Sequence, residues 1–313
     1  MSIQIEKRRI YIFLAFAFGI AWLTGLVIYL TGGLAHSPEI APGITLAFVL
    51  LASAYMWSPA LANIFTRMLT GEGRRNTYLR PHFKRGWRYW LAAWVLPAVL
   101  TIAGAAVYYL IFWDHFDPSL ERLQRYLPAM PISPWGFILI QTIQAVLIAP
   151  LVNSVFTFGE EFGWRGYLLP KLMPLGGRKA VCISGIIWGV WHWPVIAMGH
   201  NYGLDYAGWP WLGMLAMTWF TLVGGVFLSW ATLRSASVWP AVIGHAAVNG
   251  IAGIAILPQA LGVEPNMLLG PIPVGVIGSA GFTLVAIWLF FHPRALAPMT
   301  LGEPAAPAVD SSG

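Results

Sequence analysis

Between Trp135 and Phe158 the chain carries no charged residue. Glu160, Glu161 and Arg165 follow at once, in the stretch Phe158-Gly159-Glu160-Glu161-Phe162-Gly163-Trp164-Arg165-Gly166-Tyr167. A charged side chain at bilayer depth costs about 2.5–3.5 kcal/mol even on the lenient insertion scale, so three within six positions require partners or a task. Glu161 and Arg165 are four residues apart with the carboxylate on the N-terminal side, the better orientation for a helical ion pair. That pairing gives Arg165 a structural role and leaves Glu160, about 100° round the helix, to face something else. The plainer account, a polar clasp between helices, explains Glu161 and Arg165 well and Glu160 poorly.

The rest of the chain says what surrounds this stretch. Of 313 residues, 58% are hydrophobic and 10% charged, and the mean hydropathy is +0.68. Charged residues make up about a quarter of an ordinary soluble domain, so the expected class is an all-α, polytopic helical membrane protein. Eight runs are near the required length of about 20 residues. They are Ile10–Leu30, Gly43–Leu69, Tyr89–Phe112, Trp135–Phe158, Ala180–Met198, Trp209–Leu233, Val238–Leu257 and Pro271–Phe291. The fourth continues as helix through the charged stretch to about Leu169, with a kink expected at Pro150 and Asn153. The first run has no small-residue cleavage pattern after it, so a retained span is expected there and not a signal peptide.

Lysine and arginine test the count. They lie at Lys7, Arg8 and Arg9, from Arg67 to Arg88, at Lys171, Arg178 and Lys179, at Arg234 and at Arg294, whereas the alternate connections hold only Arg122 and Arg125. Basic connections mark the cytoplasmic side, which places both termini inside. The net charge of +6 therefore belongs to membrane-flanking loops, and no nucleic-acid partner is expected. The segment from His82 to Trp90 mixes bases with aromatics and reads as a positive-inside anchor. One cysteine, Cys182, excludes a disulfide framework and a thiolate metal site. A single transmembrane domain over residues 1–294 is expected, with a disordered Pro-, Ala- and Ser-rich tail over 295–313.

Two further polar groups stand at membrane depth. The fifth run carries Trp188 and His192, and the seventh carries His245 and Asn249, which share a helix face. Counted from Lys171, Arg178 and Arg234, residues Glu160, His192 and His245 sit about 16–21 Å from the basic side at about 1.5 Å per residue. One depth on three helices is what a single buried site needs. The count from Trp135 to Glu160 puts Glu160 nearer the inside surface, unless the kink at Pro150 takes up the difference.

Glu-Glu-x-x-x-Arg (Glu160, Glu161, Arg165), Trp-x-x-x-His (Trp188, His192) and His-x-x-x-Asn (His245, Asn249) occur in this order. Together they resemble the CAAX prenyl endopeptidase and bacteriocin-processing Abi (CPBP) family of intramembrane proteases. The motif-bearing core is residues 135–250, and Trp188 stands where phenylalanine is common. The resemblance implies a peptidase with a buried catalytic cavity opening to the cytoplasm. It carries over Glu160 as the catalytic glutamate, His192 as its partner on the water, and His245 with Asn249 as stabilisers of the oxyanion. Glu161, Arg165 and Trp188 would support the site. The division is chemically apt: amide hydrolysis needs a base for water, and a histidine and an amide on one face are suited to a developing oxyanion.

Metal stays open at this point. Glu160, His192 and His245 would make a three-ligand zinc site with water in the fourth position, while a metal-free glutamate mechanism uses the same residues. The substrate expected is a membrane-attached peptide or lipidated protein, either a prenylated CAAX tail or a bacteriocin-like peptide. The compact chain with short loops points to a bacterial inner membrane. Two other classes fit the buried groups: a proton- or ion-coupled transporter, for which paired broken helices and repeat symmetry are missing, and a non-catalytic membrane scaffold of the same fold.

Overall fold

The computed structural model describes residues 5–74, 76–129 and 131–298. The apolar runs become helices because backbone in hydrocarbon must satisfy its own N–H and C=O groups. They are α1 (Lys7–Leu30), α2 (Leu46–Thr70), α3 (Phe83–Ile111), α4 (Pro134–Leu147), α5 (Ala149–Gly163), α6 (Gly177–Trp191), α7 (Trp193–Ala197), α8 (Trp211–Ser235), α9 (Trp239–Ile251) and α10 (Ala280–Phe291). Among the described residues the one sheet is a small antiparallel pair, Glu39–Ala41 with Ile44–Thr45. Helices α1, α2, α3, α8 and α9 with its 3₁₀ extension to Ile256 are each long and apolar enough to cross a membrane, and α4 meets the helical stretch Ala149–Leu175 at a 47° bend, as a broken sixth span or a re-entrant loop does. The chain is a polytopic helical membrane protein.

Two of the eight expected spans are shorter than their apolar runs. Ala180–Met198 breaks at His192 into α6 and α7, with Pro194 in the first turn of α7. Of Pro271–Phe291 only the twelve residues Ala280–Phe291 are helical. Pro271, Pro273, Gly275 and Gly278 keep the first part in turns. The tail expected to be disordered lies, from residue 299 on, outside the described residues.

Proline explains the irregular helix geometry. A proline has no N–H for the carbonyl four residues back, and its ring strikes that carbonyl. Pro59 and Pro170 would strike Tyr55 and Gly166, and both carbonyls lie in widened π turns, Leu51–Tyr55 and Trp164–Leu168. Pro150 releases the carbonyl of Val146 at the bend between α4 and α5, and the indole Nε1 of Trp94 donates to it at 2.7 Å. The kink expected at Pro150 is thus present and capped by a side chain from α3.

Backbone-to-backbone contacts set the bundle. Gly159 and Gly163, one turn apart on α5, lie against Met56–Pro59 of α2; a Cβ on Gly159 would stand 2.7 Å from the Met56 carbonyl oxygen, and one on Gly163 would overlap Pro59. Gly185 and Gly189 do the same for α6 against Thr218–Leu222 of α8. Small residues four apart allow such approach in membranes, where packing and not apolar burial drives association. Gly163→Ala is therefore expected to destabilise the fold by about 1–3 kcal/mol, as overpacking does. Thermal unfolding in detergent reads this, and an unchanged midpoint would refute the contact.

The basic segments meet at one end of the molecule. Lys171 Nζ lies 2.6 Å from Glu72 Oε1 and 2.7 Å from Glu6 Oε1, and Arg9 pairs with Glu6. Burial alone would push the Glu6 carboxyl up, but hydrogen bonds from Lys171 and Arg9 hold it below its ordinary value. Arg178 donates to the Phe290 carbonyl, and Trp239 Nε1 to that of Leu79. At the opposite end, the segment around Asp117 joins Pro258 and Gln259. The alternation of charge along the sequence is an alternation between the two ends in space.

Candidate active site

Each of the three motifs lies on its own helix, and the bundle brings them together. α9 packs on α5, and α6 packs on α8 and adjoins the π turn that follows α5. Glu160 and Glu161 are near the C-terminal end of α5, and Arg165 is in the π turn. Trp188 is one turn before the end of α6, His192 is the residue at which α6 stops, and His245 is in mid-α9. All six are buried.

Trp188 is the meeting point. Its indole Nε1 donates to Glu160 Oε2 at 2.7 Å. Its carbonyl oxygen accepts from His192 Nδ1 at 2.8 Å. The Arg165 guanidinium lies over its ring, 4.2 Å from the centroid, and the His245 ring meets it edge-on at 5.3 Å. Glu160 and His192, expected as direct partners on a water, are thus linked through one residue.

The expected pair is present too. Arg165 Nη1 binds Glu161 Oε1 at 2.9 Å with both side chains fully buried. The same oxygen takes a second partner that the sequence reading did not foresee, His245 Nδ1 at 2.9 Å. Glu161 therefore joins two motifs, fixing its own helix through Arg165 and orienting the histidine of α9.

These bonds determine which atoms remain for chemistry. A carbonyl only accepts, so His192 Nδ1 carries the hydrogen and Nε2 of the neutral ring is left as an acceptor. His245, with Nδ1 held by a carboxylate, presents Nε2, which donates when the ring is doubly protonated. Glu160 Oε1 accepts no hydrogen bond among the described residues. Asn249 lies one turn beyond His245 and is exposed, at the end of the cluster.

A wall of side chains absent from the expectation holds the cluster. Tyr55, in the π turn of α2, donates to the Trp191 carbonyl at 2.6 Å, and Trp191 Nε1 donates to Ser58. Asn63 donates to the Phe162 carbonyl at 2.8 Å and accepts from Arg67. Thr157 and Asn153 of α5 bind carbonyls of Val242 and Ala246 on α9. Polar side chains four apart in an apolar span, Asn63 with Arg67 and Asn153 with Thr157, were the available signal for these.

A cavity of about 770 Å³ lies beside the cluster, between α1 and α7, with Trp22, Leu26, Pro194 and Met198 in its wall. No motif residue lines it. The small cavity touching Trp188 and His245 has about 10 Å³, room for one water at most. For zinc, the donor set does not assemble: among the described residues no three of His, Cys, Asp and Glu are grouped to hold a metal ion.

Fold and cluster together define an integral membrane protein with a carboxylate and two histidines held at a junction of three helices. Residues 134–251 match the model of a family described as Type II CAAX prenyl endopeptidase Rce1-like. The matched segment contains all three motifs and is less than half of this chain. A CAAX prenyl protease 2 from Methanococcus maripaludis is 31% identical over 117 residues, which are 36% of this chain and 42% of that protein. The aligned segment is less than half of that relative.

Proposed function

We propose that the chain is an intramembrane endopeptidase that hydrolyses a peptide bond of a membrane-attached substrate, a lipidated CAAX-type tail or a bacteriocin-like peptide. The observation that carries this reading is Glu160: a buried carboxylate with one oxygen tied to Trp188 and the other unbonded, linked through Trp188 to two histidines whose Nε2 atoms are left over. Glu160 Oε1 takes a proton from water, and His192 Nε2 accepts from the same water and orients it. The attacking oxygen forms the tetrahedral intermediate, whose negative oxygen is met by the Asn249 amide and by His245 Nε2–H, the ring being doubly protonated with its Nδ1–H on Glu161. The leaving amine recovers the proton. Glu161 and Arg165 hold the helix and the second histidine. The protein sits in a bacterial inner membrane with both termini and the mouth of the site on the cytoplasmic side, as the basic residues gathered at one end support.

The test is proteolysis of a labelled lipidated C-terminal peptide by purified protein in detergent. Wild type is expected to cleave. His245→Ala is expected to lose about 10²–10³-fold in kcat, the scale of an oxyanion donor. Activity that survives a zinc chelator favours water activated by glutamate alone. Folded wild type that cleaves neither lipidated nor plain peptide would refute the reading in favour of a relay or scaffold.

A further inference from the structure

Trp188 stands between Glu160 and His192 and brings to the cluster an indole N–H, a donor that a hydrocarbon ring would lack. That N–H lies 2.7 Å from Glu160 Oε2, between residues that are 2% and 3% exposed. Phenylalanine is smaller by the fused pyrrole ring and donates nothing. We propose that Trp188 is a positioning residue for Glu160, its indole N–H pinning one carboxylate oxygen so that the other is held toward the water.

The geometry supports this in three ways. The indole cannot swing away, because the Arg165 guanidinium covers its face and the His245 ring stands against it edge-on, at 4.2 and 5.3 Å. Its own backbone carbonyl holds His192, so the two groups proposed to share the water take their orientation from one residue. And Glu160 has no other hydrogen-bond donor among the described residues. A glutamate side chain has three rotatable bonds, and without this donor no hydrogen bond among the described residues would fix its carboxylate. A hydrogen bond to a carboxylate lowers its basicity, so the bond makes sense for catalysis only if orientation gains more than basicity loses.

This inference rests on the proposed peptidase activity, and the experiment separates the two. Trp188→Phe in the full chain, assayed on the lipidated peptide, is expected to lower kcat about 10- to 100-fold, the range of a lost charge-assisted hydrogen bond. KM should stay within about twofold, since an interaction acting on the base leaves substrate binding alone. 3-Benzothienylalanine placed at position 188 keeps the indole shape and removes only the N–H, so it should reproduce the loss even if phenylalanine packs badly. Ultraviolet resonance Raman difference spectra of wild type against Trp188→Phe should show a strongly hydrogen-bonded indole N–H, and this signal should shift in Glu160→Ala. An unchanged or raised kcat in the benzothienyl protein, or an indole band of the unbonded kind, overturns the positioning role while the peptidase stands. A wild type that cleaves nothing overturns both.

Discussion

Glu160→Gln is expected to cut turnover of a lipidated peptide about 10²–10⁴-fold, the span attributed to a positioned general base. The substitution is nearly isosteric, and its amide oxygen still accepts from the Trp188 indole, so the wall around position 160 stays packed. What disappears is an oxygen able to take a proton. Steady-state kcat with a thermal unfolding midpoint for the same preparation checks this. A variant within tenfold of wild type would remove Glu160 from the chemistry, whatever its burial. A variant that is inactive but also unfolded would be replaced by Glu160→Asp, which keeps the acid and withdraws it by one methylene; folded Glu160→Asp with full activity would count equally against the assignment.

Arg165→Met is expected to cost about 3–5 kcal/mol, because it strands a fully buried carboxylate. Total stabilities run about 5–15 kcal/mol, so a large part of the protein should fail to fold or melt early. Glu161 would keep only His245, and Trp188 would lose the guanidinium on its face. The companion double variant, Glu161→Gln with Arg165→Met, removes both charges and should recover much of the stability, since replacing a whole buried pair is often neutral or better. It should not recover activity, because His245 then meets a neutral amide oxygen in place of the carboxylate that supports its doubly protonated, donating form. Thermal unfolding and peptide cleavage on the four proteins of this cycle separate the two roles. Full stability of Arg165→Met would show that the pair does not hold the motif helix.

Much of the site was legible because its local parts are set by helical spacing. Glu161 and Arg165 are four apart and meet as their spacing predicts, and Pro150 bends the fourth span where a missing N–H must. The bond from His245 to Glu161 was not legible, since it joins helices 84 positions apart and nothing in either motif names the other. Trp188 was legible as a motif residue supporting the site, but not how it does so; only three-dimensional placement shows its N–H finding Glu160. The fifth and eighth spans were overlong because hydropathy does not register backbone geometry. Pro194 and the Pro/Gly series from Pro271 to Gly278 are apolar enough to extend a run and unable to extend a helix.

The glycine contacts bear on how the protein meets bilayers of different thickness. A membrane that does not match a span is accommodated by tilt or by bending of whatever yields most easily. Met56–Pro59 on Gly159 and Gly163, and Thr218–Leu222 on Gly185 and Gly189, bring main chain close against main chain, leaving little room to yield. The lipid-facing sides of α1 and α4 carry exposed Leu23, Leu30, Leu139 and Leu147 instead. Thickness mismatch would be absorbed in those outer helices, while the inner pairs move as one body and carry Glu160 and His192 with them at fixed spacing.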